Sequence, residues 1–118
     1  MSKGENSSYN LTQLSEMYGG NQENVKKTVE IFCDQLAQDM IMLRQKFEES
    51  DLPSIKAFAH RMKPNLKLFG VMEMHDLVVQ IEASSMADDK KTLGAQLEKL
   101  YARSKALTDL MKEEVIEA

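Results

Sequence analysis

The chain has no tryptophan, one cysteine, two prolines and five glycines among its 118 residues. A lone Cys33 cannot close an internal disulfide, which excludes a disulfide-stapled scaffold and suits a reducing compartment. With only seven Phe and Tyr beside abundant Leu, Met, Lys, Glu and Gln, the composition favours helices over sheets. Long apolar runs are missing too. None approaches the ~18 residues of a membrane span, and residues 1–10 are too polar for a signal peptide. The expectation is a cytoplasmic chain without membrane contact. A net charge of −4 argues against a general nucleic-acid binder.

The most telling absence is local. Leu52 to Met72 holds Lys56, Arg61, Lys63 and Lys67 and no acidic residue. That stretch carries +4, so the rest of the chain carries −4 − 4 = −8. His60 stands in the middle of this basic island.

A length of 118 residues suits a single domain with a real core. Residues 1–10 read as a flexible lead-in and residues 11–118 as one helical bundle. Asn10 is a plausible N-cap for a short helix from Leu11 to Tyr18, ended by Gly19-Gly20. Val25, Val29, Phe32, Leu36, Met40, Leu43 and Phe47 recur at helical spacing and predict a long amphipathic helix from about Gln22 to Glu48. Ser50-Asp51-Leu52-Pro53 breaks the chain and restarts it. A third helix runs from about Leu52 to Phe69 and stops at Gly70, a natural residue to follow a helix end. The fourth, about Glu73 to Ser85, buries Met74, Leu77, Val78 and Ile81. Ala87-Asp88-Asp89 makes a turn with a capping carboxylate. The last helix, about Lys90 to Val115, carries Leu93, Leu97, Leu100, Leu107 and Met111 on one stripe. The fold class is therefore all-α: an antiparallel up-down four-helix bundle with a short extra N-terminal helix. No internal repeat or low-complexity segment interrupts it. The nine methionines read mostly as core, Cys33 as a buried apolar residue, and Glu113, Glu114 and Glu117 as a solvated helix end.

At about 100° per residue, Lys67 lies roughly 20° from His60, Lys56 about 40° and Lys63 about 60°. Ile55, Phe58, Met62, Leu66 and Phe69 cluster on the far side of the same helix. A packed helix thus points an imidazole at water among ammonium groups, an arrangement suited to carrying an anion. Neutral imidazole is a good nucleophile near pH 7. It accepts a phosphoryl group on one nitrogen if the other is held as N–H, and nearby lysines pair with the phosphoryl oxygens. Pro64 sits inside the helical pattern, where proline usually costs about 3 kcal/mol. It removes the N–H that would bond the His60 carbonyl, so a bend and a flat patch are expected beside the imidazole, open to a docking protein.

The run Ala59-His60-Arg61-Met62-Lys63-Pro64-Asn65-Leu66-Lys67-Leu68-Phe69-Gly70, continuing to Leu77 and Ile81-Glu82, resembles a histidine-containing phosphotransfer domain. Those helical bundles relay phosphoryl groups between receiver domains in multistep two-component signalling. In the family motif a lysine follows the phosphorylated histidine by three residues, a glycine by ten, and a Gln or Glu by twenty-two. His60, Lys63, Gly70 and Glu82 match. The resemblance implies that His60 is the phosphoacceptor, that Lys63 and Lys67 supply positive charge, and that Glu82 orients His60 by accepting its second ring N–H. Lys56, Pro64 and Gly70 would face the docked partner. It departs from the pattern at Pro64, commonly glycine, and at Asn65, commonly a small residue, changes that bear on partner preference.

The implied partners are response-regulator receiver domains and a sensor or hybrid histidine kinase. No cofactor is expected on this chain, and Mg²⁺ is expected on the receiver. The chain lacks a Gly-rich nucleotide loop and the length for an ATP-binding domain, so it is expected to be a carrier with a reactive side chain rather than a kinase or a true enzyme. The motif variant and the lead-in favour a piece of a larger hybrid sensor kinase over a free-standing carrier. Two rival readings remain: a non-catalytic docking module whose basic His60 face grips an acidic partner, and a metal-binding bundle. For the latter, His75 and Glu82 are two candidate ligands without a third, so no metal site is expected.

Overall fold

The computed structural model describes residues 8–118. Five helices follow in order: α1 (Thr12–Met17), α2 (Gln22–Glu48), α3 (Leu52–Leu68), α4 (Met72–Met86) and α5 (Lys90–Met111). A π-helical turn, Lys112–Ile116, closes the chain. Among the described residues there is no strand.

Three of the four bundle helices, α2, α3 and α5, start where a short polar side chain satisfies a free amide, whereas α4 starts after Val71 without a side-chain cap. Asn21 accepts from the Asn24 N–H at 3.1 Å, Asp51 from Ser54 at 3.2 Å and Asp89 from Thr92 at 3.1 Å. Pro53 fits the first turn of α3, where its missing N–H would have had no helical partner. Three helices end alike. Ser50, Gly70 and Asp88 take left-handed backbone at φ +57°, +67° and +55°. The amide after each reaches back to an orphan carbonyl: Asp51 to Lys46 at 2.9 Å, Val71 to Leu66 at 2.8 Å, Asp89 to Ser84 at 3.1 Å. These tight reversals send successive helices in opposite directions.

Helix α3 packs most extensively on α4, α4 on α5, and α2 closes the ring against both α3 and α5. That is the up-down-up-down bundle. Its core takes Val29, Leu36 and Leu43 from α2, Ile55, Ala59 and Leu66 from α3, Val78 and Ile81 from α4, and Leu93, Leu97 and Leu100 from α5. Phe32 and Phe69 stack at 4.0 Å between centroids. The described chain extends 43 × 22 × 21 Å, close to the ~40 Å length of a 27-residue helix.

Several boundaries and burials differ from the sequence expectations. Residues 1–7 of the anticipated lead-in lie outside the described residues, but Tyr9 and Asn10 are built into the fold. Tyr9 is fully buried and its hydroxyl donates to Glu114 Oε1 at 2.6 Å. Burial and that carboxylate push the Tyr9 phenol well above its ordinary range. Glu114 is accordingly a partner inside the fold and not simply solvated. The α-helical part of α5 stops at Met111, because the last turn widens so that Glu117 N–H donates to the Lys112 carbonyl. Among the described residues only Met40, Met62, Met74 and Met111 are buried; Met17, Met72 and Met86 are exposed. Cys33 is buried as expected.

Candidate functional site

His60 lies at the middle of α3, on a helix whose other face is locked by Ile55, Ala59, Met62 and Leu66. Its side chain is 70 % exposed. The neighbouring Glu82 on α4 follows Ile81, which is fully buried, so the carboxylate is carried by a residue next to an anchored one. Glu82 is only 16 % exposed and uses its two oxygens separately. Oε2 stands 3.0 Å from His60 Nδ1, and Oε1 accepts from Lys63 Nζ at 2.7 Å.

The protonation state follows from these contacts. The Lys63 hydrogen bond, and after it the His60 contact, hold the Glu82 carboxyl below its usual range against the opposing effect of partial burial. An ionised carboxylate only accepts hydrogen bonds. The 3.0 Å contact therefore requires hydrogen on Nδ1. In the neutral ring this leaves the lone pair on Nε2, the nitrogen away from Glu82. The arrangement is a fixed tautomer with its nucleophilic nitrogen free.

The other anticipated residues divide. Lys56, Lys67 and Pro64 are exposed on α3, along the His60 face. Helix α3 runs through Pro64 without interruption to Leu68, although the His60 carbonyl loses its ordinary i+4 donor. Gly70 serves the fold: a Cβ there would meet the Asn10 backbone at 2.6 Å, so what it contacts is the chain's own N-terminal segment. His75 Nδ1 lies 3.2 Å from Asp76 Oδ1, and Glu82 is engaged with His60 and Lys63 of α3. Among the described residues no group of three or more His, Cys, Asp or Glu could hold a metal ion.

The sequence reading did not anticipate that Lys63 is already engaged. Its offset of about 60° from His60 was legible in the helical arithmetic, but the neighbour it turns towards, Glu82 on α4, was not. It also missed an open groove of about 680 Å³ between α2 and α3, lined by Ile31, Phe32, Asp39, Phe58, Arg61 and Leu68 among others. Arg61 lies over the Phe58 ring at 4.5 Å. Partial burial pushes the Asp39 carboxyl up, with Arg61 opposing it.

The family model of the Hpt domain matches residues 27–113. The chain belongs to the Hpt domain family. Its match spans all of α3 and α4, and with them the His60–Glu82–Lys63 cluster. No curated protein and no solved structure matches the chain. An Hpt domain is a histidine carrier in two-component phosphorelays and works with receiver domains and histidine kinases. Among the described residues, no helix of this Hpt domain is long and apolar enough to cross a membrane.

Proposed function

We propose that His60 is the phosphoryl-carrying residue and that this Hpt domain shuttles the group between receiver domains in the cytosol. The observation that carries the reading is the pairing of Nδ1 with Glu82, which leaves Nε2 bare on an exposed face. A receiver bearing an aspartyl phosphate docks over α3. The Nε2 lone pair forms the N–P bond in line as the P–O bond breaks, and the aspartate departs as a carboxylate. The ring, with hydrogen on Nδ1 and phosphorus on Nε2, is then cationic and Glu82 faces that charge. A carboxylate of a second receiver reverses the step. The receiver supplies the Mg²⁺; Lys67 and Lys56 supply exposed positive charge along the helix, and Pro64 leaves the approach flat.

Transfer of this kind depends on positioning and charge neutralisation more than on acid–base work, which suits a site built around one nucleophile. Incubation with a phosphorylated receiver should give an acid-labile, base-stable mark on the chain, and His60→Gln should remove it. A docking module that only grips an acidic partner would bind the receiver yet never acquire the mark.

A further inference from the structure

A carboxylate beside an imidazole does two things. It orients the ring by accepting one N–H, and it attracts positive charge, which favours a second proton on the ring. The first effect helps a nucleophile and the second disables it, because the second proton would sit on Nε2. Glu82 faces this conflict directly, since it contacts Nδ1 at 3.0 Å.

The groups around His60 can be named. From α4 the ring meets Glu82, while His75 and Asp76 on that helix pair with each other. From α2, Asp39 faces Arg61 and accepts from Gln35. Along α3 itself stand Lys56, Arg61, Lys63 and Lys67. Of these lysines, Lys63 is the one at 2.7 Å from Glu82, and its side chain is 26 % exposed. Its ammonium is thus engaged with the same carboxylate that contacts Nδ1 through its other oxygen.

We infer that Lys63 is a positioning residue that acts through Glu82: it neutralises the carboxylate, which can then fix the Nδ1–H tautomer without drawing a second proton onto Nε2. The phosphoryl oxygens are then met by Lys67 and Lys56, not by the lysine that the family motif would assign to them. This deepens the carrier reading and rests on it.

The test uses the full chain with ¹⁵N-labelled histidine. Ring nitrogen shifts are followed against pH in the parent, Lys63→Met, Glu82→Gln and the double variant, with transfer rates from a phosphorylated receiver measured alongside. Lys63→Met should move the His60 titration midpoint up by about half a unit, the size of one nearby charge in a water-exposed setting. Glu82→Gln should move it down, and the double variant should return near the parent. Transfer by Lys63→Met should be about threefold slower near pH 6, where the extra proton matters, and no slower than the parent near pH 9. Adding Glu82→Gln should relieve the loss near pH 6. Lys63→Arg, which keeps the charge, should behave like the parent. A loss that persists equally at every pH, or that Glu82→Gln fails to relieve, makes Lys63 a direct phosphoryl ligand and overturns the inference. An unmoved midpoint overturns it as well. If the parent never acquires a phosphoryl mark, the carrier reading fails, while the titrations still decide what Lys63 does to Glu82.

Discussion

Replacing Gly70 with alanine tests whether the motif glycine serves the fold through a contact that the helix pattern alone does not show. Two costs add. At φ +67° an L side chain sits in left-handed backbone, at about 1–2 kcal/mol. The new Cβ would also stand 2.6 Å from the nitrogen, oxygen and Cβ of Asn10, two of them backbone atoms that cannot swing aside as a flexible side chain would. The N-terminal segment has to lift. Lifting it breaks the bond from Asn10 N–H to the Phe69 carbonyl, now 3.0 Å long and worth about 1 kcal/mol. It also drags on Tyr9, which is fully buried next in the chain. The total expected for Gly70→Ala is about 2–4 kcal/mol.

Gly20 supplies the control. Its φ is +81°, but a Cβ there meets nothing within 4 Å, so Gly20→Ala should cost only the backbone part, about 1–2 kcal/mol. Urea unfolding of both variants, with midpoint and slope fitted separately, isolates the difference. The slope should hold, since neither change alters the surface exposed by global unfolding. If Gly70→Ala is no more costly than Gly20→Ala, Asn10 is not held against the α3 end and the account of this glycine is wrong.

The acid side of the stability profile should reflect the helix caps. The Ser54 hydrogen bonds lower the Asp51 carboxyl and the Thr92 hydrogen bonds lower that of Asp89; Glu82 is lowered by Lys63. Each has a folded value below its unfolded one, so its contribution is fully present above the unfolded carboxylate range and disappears as pH falls through the folded value. Melting temperature should therefore drop below about pH 4, and Asp51→Asn with Asp89→Asn, which keep a capping oxygen, should flatten the drop; an unchanged slope would rule the caps out as its source. Tyr9→Phe should cost about 1 kcal/mol by urea unfolding through loss of the hydroxyl bond to Glu114, and a silent change would remove the tie between the chain's two ends.

What the sequence made legible was whatever repeats or is spelled by a specific residue type. Helix α2 appears from Gln22 to Glu48 as the apolar stripe and its flanks predicted, and the capping role of Asp89 follows from its place before a helical run. The left-handed residue Gly70 was legible because it is glycine. Ser50 and Asp88 adopt the same backbone without that signature, so the sequence showed their turns but not the geometry. Tyr9 was hidden for a different reason. A single aromatic after a polar run has no periodicity, and its partner Glu114 is 105 residues away. The stripe of α5 continues to Val115, and hydrophobic spacing alone does not register the widening of the last turn into π geometry. The exposed methionines Met17, Met72 and Met86 lie in or beside terminal turns, where helical pattern and burial part company. At the site, the spacing of His60 and Glu82 was readable as a motif. The partner of Lys63 was not, because an angle from His60 says how far a side chain turns and not what stands there.

A carrier has to let go of what it accepts, and this sets a limit on how strongly its site can hold charge. On the reading proposed here, the phosphorylated ring is cationic, and an uncompensated carboxylate against Nδ1 would stabilise that state as effectively as it would stabilise plain imidazolium. Either way the nitrogen stops being useful: before transfer it is blocked by a proton, and after transfer it is too comfortable to be a leaving group. Lys63, at 2.7 Å from Glu82, weakens both effects together. The exposure of His60 works in the same direction. At 70 % exposure its phosphoryl group would meet Lys56 and Lys67 across water, where such pairs are worth about 0–1 kcal/mol each, far less than in a dry pocket. On the proposed carrier role, the direction of transfer is left to the docked partner, and the bundle contributes a rigid perch at nearly level energy. The tight core behind α3 and the loosely charged face in front of it are in this sense one requirement: a fixed nitrogen with weakly held cargo.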